Sequence, residues 1–411
     1  MTVTTDAAKP IRILGATDSA SPQELLKRIA RANPALPFTE DRIGFLADFA
    51  RRLSRRAKGD GGAQALAFWL RRAELLRLQE EFNAAERPEL RRMPRGTVFH
   101  VPPANVDSIF VYSMALSMLT GNRNIVRMSS RVLVQSNLIL DTVLETLIDH
   151  PSVAEATALI SYSHDDAITA ALSAGSDVRV IWGGDGTVAA IRRWPLPPHG
   201  RDITFPDRYS MAAIHAERYL ELDDPERDDL AGRFYNDTFW FDQMGCSSPR
   251  TLIWVGERAS QEAAGDFHPR LVRVTQAKGY SPDAALAVAK LSEAFRGIID
   301  RPVDRYEYFG NADTVLDSPE FLAARGEFCG GGLLYQTRVD RLPQISPHVR
   351  RTDQTLTVFG IDRDEIDELL SAVAGRGIDR VVPVGKALDF SRVWDGYDLV
   401  SEFTRIVTME Q

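Results

Sequence analysis

Between Ser21 and Glu86, the apolar residues Leu25, Ile29, Phe45, Phe49, Phe68, Leu75 and Leu78 fall at helical spacings among many arginines and glutamates, which predicts amphipathic helices. Ser21-Pro-Gln-Glu is a capping-box start, with Glu24 at the third helical position. Gly59-Asp-Gly-Gly breaks the helical pattern, and the arginine-rich run from Arg51 to Lys58 reads as a solvated helix face.

From Arg95 the pattern changes to short apolar runs alternating with helical stretches. Strands are predicted at Val98–Val101, Ile125–Met128, Thr157–Ile160 and Val178–Trp182, with helices at Ser108–Leu119, Val132–Ile148, Asp165–Ser173 and Thr187–Arg193. Such alternation implies an α/β fold with a parallel sheet covered on both faces and ligands at the carboxyl ends of its strands. Trp194 to Tyr209, rich in Pro, Gly and charge, reads as a surface loop. Ser210–His215 reads as a strand and Pro225–Phe234 as a helix leading into the segment Phe239 to Pro249. After that segment, Thr251–Val255, helices near Ser260–Phe267 and Pro282–Ile299, and strands at Leu333–Gln336 and Thr355–Gly360 suggest a second α/β unit, followed by a helix at Arg363–Ala374 and a strand at Arg380–Val384.

Composition narrows the function. A chain of 411 residues with 44% hydrophobic content can bury two or three domain cores. A net charge of −8 argues against nucleic acid as a partner. No apolar run approaches the ~20 residues needed to span a bilayer, and the opening MTVTTDAAKPIRIL lacks the apolar core of a secretory signal, so a cytoplasmic protein is expected. Two cysteines far apart form neither a disulfide framework nor a zinc cluster, and no metal is expected.

The chemistry is expected at Phe239 to Pro249, FWFDQMGCSSP. Cys246 stands there beside Gly245, on a turn before a strand, where a substrate can approach the sulfur. A lone cysteine is more often structural, but the setting favours a nucleophile here, while Cys329 in Glu-Phe-Cys-Gly-Gly-Gly lacks such support. Asn105, after the Val98–Val101 strand, is by position either a turn residue or an oxyanion donor. Gly183, Gly184 and Gly186 lie between a strand and a helix, where backbone N–H groups reach a pyrophosphate or simply make a turn. His100 and His215 are given no role.

Four blocks in order resemble the aldehyde dehydrogenase superfamily, and within it the LuxC-type acyl-CoA reductases of luminescence operons. They are Gly96-Thr-Val-Phe-His-Val-Pro-Pro-Ala-Asn-Val with Thr120-Gly-Asn-Arg-Asn-Ile-Val-Arg-Met-Ser-Ser, Val180-Ile-Trp-Gly-Gly-Asp-Gly-Thr-Val, Phe241-Asp-Gln-Met-Gly-Cys-Ser-Ser-Pro, and Val382 to Leu399. The resemblance implies a Rossmann-type cofactor domain plus a second α/β catalytic domain. The expected boundaries are a helical region at 1–94 packed on the cofactor domain, a dinucleotide-binding domain at 95–240, a catalytic cysteine domain at 241–385, and a tail at 386–411 returning to the cofactor domain.

It also implies residue roles. Cys246 would take up the acyl group, and Asn105 with the Cys246 backbone N–H would meet the oxyanion. Arg127, Ser129, Ser130, Arg131, Gly183, Gly184 and Thr187 would bind the cofactor. Arg127 stands where the superfamily has a lysine, and Ser130 where it often has an acid, followed by Arg131; this favours NADPH over NADH, although a merely solvated Arg131 is nearly as good a reading.

The departures matter as well. The strand Tyr209–His215 replaces the segment that carries the water-activating glutamate of the hydrolytic enzymes, and no acid follows before Glu217. The ribose-binding Glu-x-Phe-Gly-Pro motif is missing, with Glu327-Phe328 a faint substitute. The expected activity is therefore reduction of an acyl thioester to an aldehyde. An acyltransferase or thioesterase using the same cysteine, or a non-catalytic acyl-binding subunit, are the alternatives. By resemblance, an acyl-protein synthetase or an acyl-transferring enzyme is an implied partner, and a homo-oligomer is expected.

Overall fold

The computed structural model describes residues 11–16, 19–103, 108–129, 138–321, 325 and 329–410, which form two compact units, 1–206 with 390–411, and 207–389. In the first, β1 (Ile11–Ile13) and β2 (Ser19–Ala20) extend one edge of a sheet. β3 (Leu90–Pro94) stands apart, and β4 (Thr97–Val101), β5 (Arg123–Arg127), β6 (Thr157–Ser161), β7 (Val178–Trp182) and β8 (Arg201–Phe205) complete the sheet in the order β2-β1-β6-β5-β4-β7-β8. The five strands from β4 to β8 are parallel.

The chain starts that parallel block in the middle, moves outward through β5 and β6, then crosses to β7 and β8. The connections after β4 and β7 therefore leave in opposite directions, and a crevice opens at the carboxyl ends of those two strands. Every residue of β4, β6 and β7 is buried, as expected for strands covered on both faces. On one face, Leu25, Ile29, Ile168, Leu172, Val188 and Ile191 from three helices pack on Phe99, Ile125, Ile160 and Ile181. The helix Ile109–Leu119, buried along its whole length, also packs on β4 and β5.

The N-terminal helices form as the pattern predicts. Ser21 and Glu24 close the reciprocal capping box of Pro22–Ala30, and Asp60 caps a new helix, Gly61–Trp69, after the glycine break. In the Arg51–Lys58 run, Arg51 and Arg52 pair with Asp48 while Arg56 pairs with Glu145, so it is a charged, paired helix face. One expectation fails: the Trp194–Tyr209 segment is not all loop. Ile203 and Phe205 turn inward, the segment adds β8 to the sheet, and the Phe205 ring stacks on Trp182 with centroids 3.6 Å apart.

The second unit repeats the central pattern. Its strands are β9 (Tyr209–His215), β10 (Thr251–Val255), β11 (Arg305–Phe309), β12 (Asp313–Asp317), β13 (Leu333–Val339), β14 (Asp353–Phe359) and β15 (Arg380–Pro383), in the order β11-β12-β13-β10-β9-β14-β15. All pairs are parallel except the β11–β12 hairpin. Along β9, Ala212 and Ile214 face the helices Asp224–Phe239 and Glu257–Ala277, whereas Met211 and Ala213 face the helix Arg363–Val373.

The division between units falls at 206/207 and 389/390 rather than at 240/241 and 385/386. The reason is that β9 lies inside the second sheet, between β10 and β14, and the helix Asp224–Phe239 covers it. Among the described residues no helix is long and apolar enough to cross a membrane.

Candidate active site

The helix Asp224–Phe239 ends seven residues before Cys246. Asp242 (φ 50°) and Gln243 (φ 62°) then adopt left-handed backbone conformations that non-glycine residues adopt only at a cost. The turn is held by backbone bonds from Met244 N–H to the Phe241 carbonyl and from Ser248 N–H to the Gly245 carbonyl. It is also clamped by the fully buried Gln243. Its Nε2 donates to the carbonyls of Pro249 (2.9 Å) and Leu333 (3.0 Å), and its Oε1 accepts from Gly332 N–H (2.9 Å). Gly245 is in a tight place, since a Cβ there would stand 3.0 Å from Leu388 Cδ2 and 3.1 Å from Ser248 Oγ, and those side chains would have to give by a few tenths of an ångström.

Cys246 is half-buried on this turn, and a strand rather than a helix follows it. Because the turn leads into the start of β10, the sulfur lies at the amino edge of the second sheet. This edge is built from the beginnings of β9, β10, β13 and β14. Ser210, entering β9, donates to the Cys246 carbonyl at 2.7 Å. Gln354, entering β14, presents its Nε2 to the Cys246 sulfur at 3.7 Å, and Ser247 Oγ donates to its Oε1 at 3.3 Å.

Arg250, four residues on, is close enough for its charge to interact with those of Tyr209, Cys246 and Asp207, while burial draws its pKa down. A cation and an amide donor near a half-buried thiol are the surroundings that favour a thiolate. Cys329 contrasts with this: burial pushes its thiol up to about 11, and its sulfur faces the carbonyl of Gly330.

Two further features support the turn. Gly330, Gly331 and Gly332 all have positive φ, Gly331 N–H donates to the Asp242 carbonyl, and buried Lys290 holds the Asn311 and Gly331 carbonyls at 2.6 and 2.8 Å. Asp237, buried near the end of the preceding helix, accepts from the N–H groups of Gly385 (2.6 Å) and Ala387 (2.8 Å). These two bonds hold the first half of the Val382–Leu399 block, whose Leu388 lies against Gly245. Burial raises the Asp237 carboxyl to about 7.

In the first unit a cavity of about 700 Å³ opens at the carboxyl ends of β4, β5, β6 and β7. Arg127, Ser129, Gly183 and Thr187 all line it, so four of the expected cofactor residues are brought together. The Arg127 guanidinium lies 4.5 Å from the centre of the Tyr162 ring and 3.4 Å from His164 Nδ1. Gly184 is the N-cap of the helix Asp185–Arg192, and Gly186, in its first turn, has open space where a side chain would be. Asp185 sits in the same turn and competes with an anion for the helix N-terminus, so Arg127 is the better counter-charge for a phosphate.

A crevice with a cation, several hydroxyls and the Trp182 and Tyr162 rings fits a dinucleotide. Asn105, Ser130, Arg131, Glu327 and Phe328 lie outside the described residues. His100 is not in this cavity: it is buried between Ser113 Oγ and Asn124 Oδ1, and burial lowers its pKa to about 4, so it is a neutral core residue.

The architecture is that of the aldehyde dehydrogenases. Aldehyde dehydrogenase 21 from Physcomitrella patens, solved with the reaction product succinate, superposes with a TM-score of 0.69 at 12% identity, covering 95% of this chain and 91% of its own. A lactaldehyde dehydrogenase gives 0.66 at 15% identity with the same coverage.

Within that fold the chain belongs to the acyl-CoA reductase (LuxC) family, whose model matches residues 72–290, more than half of its length. It is 22% identical over 328 residues to the long-chain acyl-protein thioester reductase of Aliivibrio fischeri, covering 77% of this chain and 64% of that protein. With the protein of the same name from Photorhabdus luminescens the identity is 23% over 345 residues, covering 80% and 66%. The chain thus spans just under two thirds of the length of these relatives.

Proposed function

We propose that this chain reduces an acyl thioester to the aldehyde through a covalent acyl–Cys246 intermediate, with NADPH as the reductant. The observation that carries the reading is the setting of Cys246, a half-buried sulfur on a clamped turn with an amide N–H and a cation beside it. The thiolate attacks the thioester carbonyl, the tetrahedral oxyanion collapses, and the donor's thiol leaves with a proton. When bound, the dinucleotide supplies a hydride to the acyl carbon. The resulting thiohemiacetal then releases the aldehyde and returns the thiolate. Asn105 and the Cys246 backbone N–H are the proposed oxyanion donors, and losing one such donor typically costs about 3 kcal/mol.

Arg127, Ser129, Gly183, Gly184 and Thr187 would hold the cofactor, with Ser130 and Arg131 adding the preference for a 2′-phosphate. Hydrolysis of the acyl-enzyme is disfavoured by where the acid stands. Glu217 follows the carboxyl end of β9, next to His215 and Gly256, whereas Cys246 is beside the strand's start, roughly 20 Å away at ~3.3 Å per residue. The relatives' names support a long acyl chain carried as a protein thioester as the donor, and hence an acyl-transferring partner.

The test is a panel of acyl thioesters with NADPH and with NADH, following cofactor oxidation and trapping the aldehyde. Mass spectrometry without cofactor should place the acyl group on Cys246, and Cys246→Ala should abolish both adduct and turnover. Release of free thiol without cofactor oxidation would make the chain an acyltransferase or thioesterase instead. Full turnover by Cys246→Ala would remove the cysteine from the reaction.

A further inference from the structure

Gln354 enters β14, far from Cys246 in sequence, and its side chain is buried with 2% exposure. Buried amides are held by partners at both ends, and here one of those ends faces the sulfur. Ser247 Oγ donates to Oε1 at 3.3 Å. Ser210 Oγ is 3.5 Å from the same oxygen, but its single proton is committed to the Cys246 carbonyl at 2.7 Å, and its lone pair accepts Thr355 N–H at 3.3 Å. Ser247 therefore sets the amide orientation and leaves Nε2 directed at Sγ, 3.7 Å away. Reversing the amide would turn an oxygen lone pair toward the sulfur, an arrangement that a thiolate opposes.

We propose that Gln354 is a catalytic residue of this site, donating a hydrogen bond to the Cys246 thiolate so that the sulfur is ionised and held in place before the acyl donor arrives. A hydrogen bond that favours the charged form of an acid lowers its pKa. The same donor orients the nucleophile, because Gln354 is fixed by the residue next to the cysteine and by the strand that carries it. Ser210 has a positioning role: it joins the Cys246 carbonyl to the start of β14 and keeps the turn in register with Gln354.

The inference rests on Cys246 being the nucleophile, but its test needs neither acyl donor nor cofactor. In a Cys329→Ser background, iodoacetamide alkylation of Cys246 is followed against pH for the parent, Gln354→Met and Gln354→Glu. Met removes the donor, and Glu keeps the oxygen that Ser247 meets while setting a carboxylate against the sulfur. The apparent pKa of alkylation should rise by about one unit in Gln354→Met and by more in Gln354→Glu.

A purely structural glutamine would change stability and leave this profile in place. A Gln354→Met profile superimposed on the parent's would overturn the proposal. Thermal melts accompany each variant, and if Gln354→Glu does not fold, the Met variant decides alone. A shifted profile in a protein that forms no acyl adduct would uphold the role of Gln354 and sink the reductase reading.

Discussion

Gln243→Ala tests the physical basis of the cysteine turn most directly. The substitution removes two donors and one acceptor from a fully buried position, leaving the Pro249 and Leu333 carbonyls and the Gly332 N–H without the amide. A buried polar group that loses its partner costs about 1–3 kcal/mol. With some relief from water entering the space, the total is roughly 3–5 kcal/mol, a large share of the ~5–15 kcal/mol that stabilises a whole domain. Two further variants separate the causes. Gln243→Glu keeps an acceptor for Gly332 N–H but turns a carboxylate on two carbonyls, so it should be at least as damaging. Gln243→Gly loses the same bonds and relieves the left-handed backbone, so it should retain about 1 kcal/mol over Ala. Two compact units need not unfold together. The assay is therefore hydrogen exchange read on peptides from residues 207–389, with Cys246 alkylation at neutral pH measured alongside. A loss below about 1 kcal/mol in Gln243→Ala, with alkylation unchanged, would refute the clamp.

The two units should respond to pH in opposite directions. His100, held near 4 by burial against about 6.5 in an unfolded chain, stabilises the first unit above pH ~6.5; roughly 3 kcal/mol is lost as pH falls through that window to 4. Asp237, raised to about 7 against about 3.9 unfolded, favours folding while protonated, and up to about 4 kcal/mol is lost from the second unit as pH rises from ~4 through 7. Peptide-resolved exchange at pH 5 and pH 7.5 should therefore show protection gained in the first unit and lost in the second, and Asp237→Asn should flatten the second trend. Arg127→Met should raise the KM for NADPH by about tenfold or more and narrow the preference over NADH, as expected for loss of a charge-assisted phosphate contact. Equal KM values before and after would remove Arg127 from the cofactor site.

Much of this arrangement is readable from short-range pattern. The capping box at Ser21, β7, β10 and the turn before β10 follow from local periodicity and from Gly and Pro placement. The strand β8 does not. Within Arg201–Phe205 only Ile203 and Phe205 are apolar, the residues around the strand are rich in charge and proline, and its pairing with β7 is a long-range choice. The β11–β12 hairpin is obscured likewise: Arg-Tyr-Glu-Tyr-Phe is a half-exposed edge strand with no clean apolar alternation. Gln243 is noticed in the sequence only as a neighbour of the cysteine, because its partners Gly332 and Leu333 come from another strand entry. Gln354 has no local signal at all. The expectation that ligands gather at carboxyl strand ends describes the cavity of the first unit, whereas the cysteine occupies an amino edge in the second.

That placement has a mechanical consequence. A nucleophile on a single loop can stay reactive while distant parts of a domain loosen. The surroundings of Cys246 come instead from Ser210, Arg250, Gly332 and Gln354, each at the beginning of a different strand of one sheet. Registering those four beginnings requires β9, β10, β13 and β14 to be paired together, so the thiolate-favouring environment exists only while these four neighbouring strands of the sheet are in place. Cys246 reactivity should then fall in one cooperative step with the second unit's global unfolding in urea, with no partly unfolded species alkylating at the native rate. A reactivity that persisted after exchange protection in β13 or β14 was lost would show that the turn holds its own chemistry.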